Sequence, residues 1–420
     1  MMDDRPININ SEIGKLKTVI LHRPGEELEN LTPDTLTELL FDDIPYLKKA
    51  QEEHDNFAKL LRERGAEVLY YDELTAGALE DPEIKEKFIR EMLYASKQSD
   101  KRVSEALHDY LMSMDTLAMV RKIMAGVRKS EVQIATENVT SLETMVSCSG
   151  DEGCDGVYPF YLNPMPNLYF SRDYAAAIGR GMTVNHMHFP ARKRDSLFMD
   201  YILRYHPRFA GKDVPIWYDR DQRWSVEGGD EQVWNSETLA IGLSQRTEPG
   251  AVEKIAERVL RDGGFKRVVA LEIPKSHALM HLDTVLTMVD HNKFCVYPAI
   301  MDRLGKMNIF ILSLREDGEL QIEHRENLLD VIREVIGRDD VELLQTGGGD
   351  QIAAAREQWN DGSNTLAIAP GVVVTYTRNY VSNNLLRQHG LEVLEISGAE
   401  LGRGRGGPRC MSMPIWREDI

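Results

Sequence analysis

The chain has 420 residues, 42% of them hydrophobic, which is ample for a large core spread over roughly two or three average domains. A formal net charge of −18 argues against nucleic acid or an anionic membrane as the main partner, because both are drawn to basic patches; a cationic small molecule fits better. Four cysteines (Cys148, Cys154, Cys295 and Cys410) with no Cys-x-x-Cys pair point to a reducing compartment. With no signal-peptide core at the start and no apolar run of about 18 residues, a cytoplasmic setting is expected.

In chain order, Leu16–Leu21 reads as a strand, and Phe57–Tyr71 as a helix that stops at Gly65 and runs on into an extended apolar stretch. From about Asp72 to Val139 the pattern changes. Apolar residues recur at helical spacing, as in Phe88, Ile89, Met92 and Leu93, then Leu107 and Leu111, then Val120, Ile123 and Met124. This predicts an inserted helical bundle over 74–139, set into an α/β unit formed by 1–73 and 140–420, with its methionines as core.

The helix, stop and strand pattern returns four more times. Phe198–Tyr218 is the loosest copy, with Pro207 at the stop; Ile255–Glu272, Leu328–Thr346 and Asn383–Ser397 follow. Thr238–Ile241 and Thr365–Ile368 are both Thr-Leu-Ala-Ile, each preceded by Trp-Asn and, earlier, by Gly-Gly-Asp at 228–230 and 348–350. Five strand, strand, helix, strand units that cannot bury their own apolar faces must stack or close, so a closed, roughly fivefold α/β ring is predicted, with helices outside and loops meeting at the centre. A doubly wound α/β sheet uses the same punctuation and is the alternative.

Chemistry concentrates in a few loops. Leu401–Pro414 carries four glycines, two prolines and Cys410, flanked by Arg403, Arg405 and Arg409, whose charge would favour a nucleophilic thiolate; the other reading is a disordered Gly/Arg tail. Asn167–Asp173 offers aromatic rings and a carboxylate suited to a planar cation, unless it is a solvated turn. Glu227 precedes Gly228-Gly229-Asp230, at a position where the later Gly-Gly-Asp copy has Gly347. His281-Leu-Asp283, read as a strand, points His281 and Asp283 to one face. His186 and His188 lack a metal-ligand set and are read as structural. Cys410, His281, Glu227, Asp173 and Asp283 thus supply a nucleophile, a proton carrier, a group to orient it and two anions, a set suited to attack on a cation.

The stretches Phe41-Asp-Asp-Ile44, Asn167–Asp173, Glu227–Asp230, His281–Asp283 and Arg403–Cys410 resemble those of the arginine deiminase family, within the guanidine-modifying pentein superfamily, over essentially the whole chain. The resemblance implies a five-bladed ββαβ propeller that hydrolyses free L-arginine to L-citrulline and ammonia through a covalent cysteine thiouronium, as a first step of arginine catabolism, with no metal or organic cofactor. It implies Cys410 as nucleophile, His281 as acid then base, Glu227 as its orienter, and Asp173 and Asp283 gripping the guanidinium. Asn167, Arg192 and Arg246 would hold the α-carboxylate, Phe170 would line the site, Arg405 would ride a gate, and Asp230 would support from behind. Arg409 stands where some relatives have histidine. The partner is then L-arginine, with neither nucleic acid nor membrane, and a homo-oligomer is expected. Two nearby anions should hold the Cys410 thiol protonated until arginine arrives.

Overall fold

The computed structural model describes residues 5–97, 100–132, 159–301 and 306–420. Among them are five sheets of three or more strands, and each contains an antiparallel pair, one member of which also pairs in parallel with a third strand beyond a helix. In the first, Leu16–Leu21 lies between Met413–Arg417, antiparallel, and Glu67–Tyr70, parallel. The helix Leu47–Glu63 crosses between its parallel strands, burying Leu47, Ala50, His54, Phe57, Ala58 and Leu61 at three- and four-residue spacing. It ends at Gly65, whose φ of +88° suits the left-handed turn that stops a helix.

The second sheet joins Ala175–Ile178, Gly181–Val184 and Ile216–Tyr218 around the helix Asp195–Tyr205. The third joins Glu231–Asn235, Thr238–Leu243 and Arg267–Glu272 around Pro249–Asp262, and is widened by the hairpin Lys306–Leu314 and Leu320–Asn327. The fourth uses Leu286–Asp290, Lys293–Val296 and Glu342–Gln345 with the helix Leu328–Ile336. The fifth uses Leu366–Ala369, Val372–Tyr376 and Glu392–Ile396 with Tyr380–Gln388. The chain is therefore mixed α/β, built of separate mixed sheets rather than one doubly wound sheet.

The two Thr-Leu-Ala-Ile stretches do not match as expected. Thr238–Leu243 sits between two partners, whereas Leu366–Ala369 is the first, outer strand of its sheet. Their Gly-Gly-Asp stretches differ as well. Gly228–Asp230 makes a 3-10 turn into a strand, whereas Gly347, Gly348 and Gly349 all take positive φ and Asp350 caps the helix Gln351–Trp359 through the Ala353 N–H at 2.7 Å. Glu227 and Gly347 are thus not equivalent positions; the shared tetrapeptide reflects strand composition, not register.

Between the first and second sheets run four helices: Tyr71–Ala78, Pro82–Ala95, Lys101–Met112 and Thr116–Ala125. Asp81, Asp100 and Asp115 cap the last three. Met92, Met119 and Met124 are buried, and Phe88 meets Phe198 and Tyr201 edge-on at 5.3 and 5.0 Å, so this apolar cluster is continuous with that of the second and third sheets. Residues 133–139 of the expected bundle, and Cys148 and Cys154, lie outside the described residues. Among the described residues no helix is long and apolar enough to cross a membrane.

Candidate active site

Leu401–Pro414 is not a loose tail. Gly404 to Ser412 are buried, and the stretch leads directly into the strand Met413–Arg417. Tyr169 and Tyr376 donate their hydroxyls to the carbonyls of Leu401 and Gly406, both at 2.9 Å. Glu53, on the first long helix, accepts from the Ser397 hydroxyl at 2.7 Å and from the N–H groups of Ala399, Glu400 and Leu401 at 3.0 to 3.1 Å. A Cβ at Gly406 would run into the Phe170 ring, so glycine is needed for the loop to pass the aromatic wall.

The flanking arginines do not make Cys410 acidic, contrary to the first reading of its loop. Arg403 turns away to Asp43 and Glu400, and the Arg405 guanidinium lies over the Trp359 ring at 3.5 Å. Arg409 is buried, donating to Glu12 at 3.1 Å and to Asp283 at 2.8 Å. The sulfur itself lies 3.5 Å from Asp283 Oδ2. Burial together with Asp283, Asp173 and Asp361 pushes the thiol well above its ordinary value, and Arg409 offsets only part of this. Spacing along the chain placed cations beside the cysteine; folding turns Arg403 away, lays Arg405 over Trp359 at the cavity wall and pairs Arg409 with acids.

His281 and Asp283 are not on a strand. His281 is extended and leads into a 3-10 turn, Leu282–Thr284, because Asp230 Oδ1 accepts the Leu282 N–H at 2.8 Å and the Thr284 hydroxyl donates to the His281 carbonyl at 2.7 Å. Both side chains are buried in the site nonetheless. Asp230 also accepts from the hydroxyls of Ser244 and Thr247, at 2.7 and 2.6 Å, so it supports the turn rather than facing the cavity.

His281 Nε2 lies 2.8 Å from Glu227 Oε2, and its Nδ1 lies 3.8 Å from Asp173 Oδ1. Burial alone would lower its pKa, but Asp173, Glu227 and Asp230 outweigh burial and push it up to about 9. Glu227 receives Arg246 Nη1 at 3.1 Å and the His188 N–H at 3.2 Å. Burial disfavours its charge, yet Arg246, His281 and Arg192 hold it well below the usual carboxylate range.

A cavity of about 20 Å³, the room of roughly one water, is lined by Leu40, Asn167, Phe170, Asp173, Arg192, Arg246, Met280, His281, Thr284, Gly404, Arg405 and Cys410. Glu227, Asp283 and Asp230 stand behind this lining. Arg192 is already engaged, donating to Asp173 at 2.5 Å and Asp195 at 2.9 Å, and the Asn167 amide donates to the Leu39 carbonyl at 2.7 Å. Asp173 Oδ1 and Asp283 Oδ1 are both buried with no hydrogen-bond partner among the described residues. Two orphaned carboxylate oxygens beside one thiol are an unmet demand for donors, which a planar cation with several N–H groups would satisfy.

Asp173, Glu227 and His281 bring possible metal-ligand atoms within 4.8 Å of one another. Each carboxylate already carries a guanidinium, and a metal-ligating imidazole must be neutral, whereas His281 is held protonated to about pH 9. The donor set is balanced by Arg192, Arg246 and the imidazolium.

Several site residues escape sequence reasoning. Asn364 touches the Cys410 sulfur, and Glu12 holds Arg409 from near the other end of the chain. Leu40 and Asp361 take positive φ, 61° and 58°, beside the cavity and near the thiol respectively. Arg172, part of the stretch whose other reading is a solvated turn, is buried and donates to the Ser412 carbonyl at 2.9 Å. Positive φ at Leu40 carries no residue-type signal, and the others depend on contacts across 46 to 397 residues. The His186 and His188 rings pair with the Arg220 carbonyl at 2.8 Å and the Ser225 hydroxyl at 3.2 Å.

The family model described as arginine deiminase matches residues 37–417. The chain is 55% identical over 417 residues to the arginine deiminase of Bacillus cereus (strain B4264), covering 99% of each, and 52% identical over 422 residues to that of Staphylococcus epidermidis (strain ATCC 35984), covering 100% of each. Among solved structures it is similar to an amidinotransferase of the saxitoxin biosynthetic pathway from Microseira wollei. The TM-score is 0.52 at 13% identity, over 99% of this chain and 98% of that one, a likeness of fold alone.

Proposed function

The chain belongs to the arginine deiminase family, and from that premise we propose that it hydrolyses free L-arginine to L-citrulline and ammonia at Cys410. The observation that carries this reading is the pair of unsatisfied oxygens on Asp173 and Asp283 beside the thiol, with the protonated His281 near one of them. A guanidinium keeps its proton at neutral pH, so it must be polarised and held in plane by paired carboxylates.

Arginine entering between Asp173 and Asp283 neutralises the anions that hold the Cys410 proton, and that proton leaves to solvent. The thiolate adds to the guanidinium carbon, forming a C–S bond. His281 gives its Nδ1 proton, on the ring edge facing Asp173, to the departing nitrogen; the C–N bond breaks, ammonia leaves, and a cationic thiouronium remains on sulfur. Neutral His281 then takes a proton from water as its oxygen adds to the same carbon. The C–S bond breaks, the hydroxyl oxygen closes to the ureido carbonyl, its proton passes to the departing sulfur to restore the thiol, and citrulline departs. Glu227 fixes the ring from its Nε2 side throughout.

Arg192, Arg246 and Asn167 lie at the cavity wall, where a substrate carboxylate would draw on them, and Phe170 shapes the slot for the aliphatic stem. The cavity has room for about one water and not for arginine, so the loops bearing Leu40 and Arg405 would move aside to admit substrate, Arg405 acting as gate. In the same reading, the five sheets are blades of a ββαβ propeller formed by 1–73 and 140–420, with 74–139 as its helical insertion; repetition of the sheet pattern supports this. The free thiols of Cys295 and Cys410 support a cytoplasmic setting, and the exposed Ile352, Trp359 and Tyr380 support a homo-oligomer.

Incubation with arginine, agmatine and dimethylarginine, followed by assay of ureido product and ammonia, tests the reading. Arginine should give citrulline and ammonia in equal amounts, and Cys410→Ser should bind arginine without turnover. Appreciable citrulline from Cys410→Ser would remove Cys410 from the mechanism.

A further inference from the structure

We infer that Asn364 is a further catalytic residue, whose side-chain N–H holds the Cys410 sulfur as a thiolate during attack. This rests on Cys410 being the nucleophile. Asn364 Nδ2 lies 3.1 Å from Cys410 Sγ, and Asn364 Oδ1 accepts the Cys410 backbone N–H at 3.0 Å. The second bond fixes the first: only the oxygen end of the amide can accept a backbone N–H, so the amide orientation is determined and its NH₂ faces sulfur.

The other polar neighbour of the sulfur is Asp283, at 3.5 Å, and it acts in the opposite sense. It accepts from a thiol and repels a thiolate. Once a guanidinium covers Asp283, the S–H loses its acceptor, and Asn364 remains as a neutral donor to the charged form. A hydrogen bond to an ionised group is about twice as strong as one between neutral groups, so this contact strengthens as the sulfur ionises.

The fold is built to hold Asn364 there. It is fully buried and ends a turn in which its own N–H bonds the Asp361 carbonyl at 3.0 Å, with Asp361 in the left-handed region at φ 58°. The adjoining Ser363 hydroxyl donates to the Thr284 carbonyl at 3.0 Å, tying this turn to the one that bears Asp283. On the other side, a Cβ added at Gly407 would stand 2.6 Å from the Asn364 carbonyl and 2.8 Å from its side-chain oxygen. Glycine at 407 is therefore what lets the cysteine loop close on the amide.

The test reads the sulfur directly. Iodoacetamide alkylation of Cys410, followed by peptide mass spectrometry across pH 6 to 10, is compared among the unmodified enzyme, Asn364→Asp and Asn364→Ala, with Cys410→Ser as blank. Asn364→Asp keeps the acceptor for the Cys410 N–H and removes the donor. Alkylation at pH 7.5 should slow by about tenfold or more in both variants, with the pH midpoint displaced upward. Turnover of arginine should fall about 10- to 100-fold with KM within about threefold. In the unmodified enzyme, the Asn364 side-chain amide resonance should move through the same pH midpoint as thiolate absorbance. Alkylation profiles in the variants that superimpose on the unmodified one, or an amide resonance indifferent to sulfur ionisation, would overturn the inference. Turnover by Cys410→Ser would instead sink the nucleophile assignment, while the alkylation profiles still report what Asn364 does to sulfur.

Discussion

Glu227→Gln separates charge from shape at the proton carrier. Glutamine keeps an oxygen to accept from His281 Nε2, now 2.8 Å from the carboxylate, but removes one of the anions that raise the histidine. His281 stands at about 9 against an ordinary 6.5, a net preference for the imidazolium of about 3 kcal/mol at 1.36 kcal/mol per pH unit. A hydrogen bond to a charged group contributes about 1.5 to 3 kcal/mol, so losing the charge should bring the histidine down to roughly 7 to 8, with Asp173 and Asp230 still supporting it. The proposed mechanism needs His281 protonated when ammonia leaves, so activity should be lost as pH rises through its pKa, and the basic limb of kcat/KM should move to lower pH by the same amount. The assay is citrulline formation from pH 5 to 10 beside an NMR titration of labelled histidine. A basic limb and a His281 titration both unmoved in Glu227→Gln would refute the assignment of Glu227 as the charge behind the ring.

Arg246→Ala should cut kcat as well as raise KM for arginine, and the rise in KM should be larger for arginine than for agmatine, because Arg246 pairs with Glu227 as well as facing the cavity; steady-state kinetics on both substrates decide, and equal KM changes would deny it a carboxylate-binding role. Glu12→Gln should destabilise the fold by about 3 kcal/mol, since it removes one of the two anions paired with the buried Arg409 and leaves it only Asp283, measurable by denaturant titration at pH 7. Burial works against the Glu12 charge, but Arg409 and Arg172 bring its pKa down to about 2 from 4.5, so its contribution is present above pH 4.5 and is lost as pH falls towards 2. An acid limb of stability identical in Glu12→Gln would contradict this.

What could be read from the sequence was local. Five helices followed by strands were legible because a stop residue and a change of hydrophobic period mark each junction within about 20 residues. His281 and Asp283 were found for a partly mistaken reason: they share the site through a 3-10 turn held by Asp230, which no alternation pattern encodes. The two Thr-Leu-Ala-Ile stretches misled because strand composition repeats where strand position does not. Proximity in the chain alone misreads the environment of Cys410, whereas the expectation that Asp173 and Asp283 keep its thiol protonated agrees with the surroundings found. Its neighbour Arg403 turns away and the Arg405 charge lies over the Trp359 ring at the cavity wall, while Asp283 and Asn364 arrive from 127 and 46 residues distant. Charge on a folded site is a sum over space, and sequence spacing reports only its nearest terms.

The pairing of Leu16–Leu21 with Met413–Arg417 has a consequence for the order in which the catalyst comes into being. Cys410 lies three residues before Met413, so the strand that anchors it is synthesised some 400 residues after its partner. Bringing together such distant segments is slow, since the entropy of the intervening chain must be overcome before the contact returns anything. A nascent chain on the ribosome, or one clipped before Met413, can display every acid and histidine described above and still lack a fixed nucleophile. Fixing the thiol thus depends on the meeting of the first and final strands.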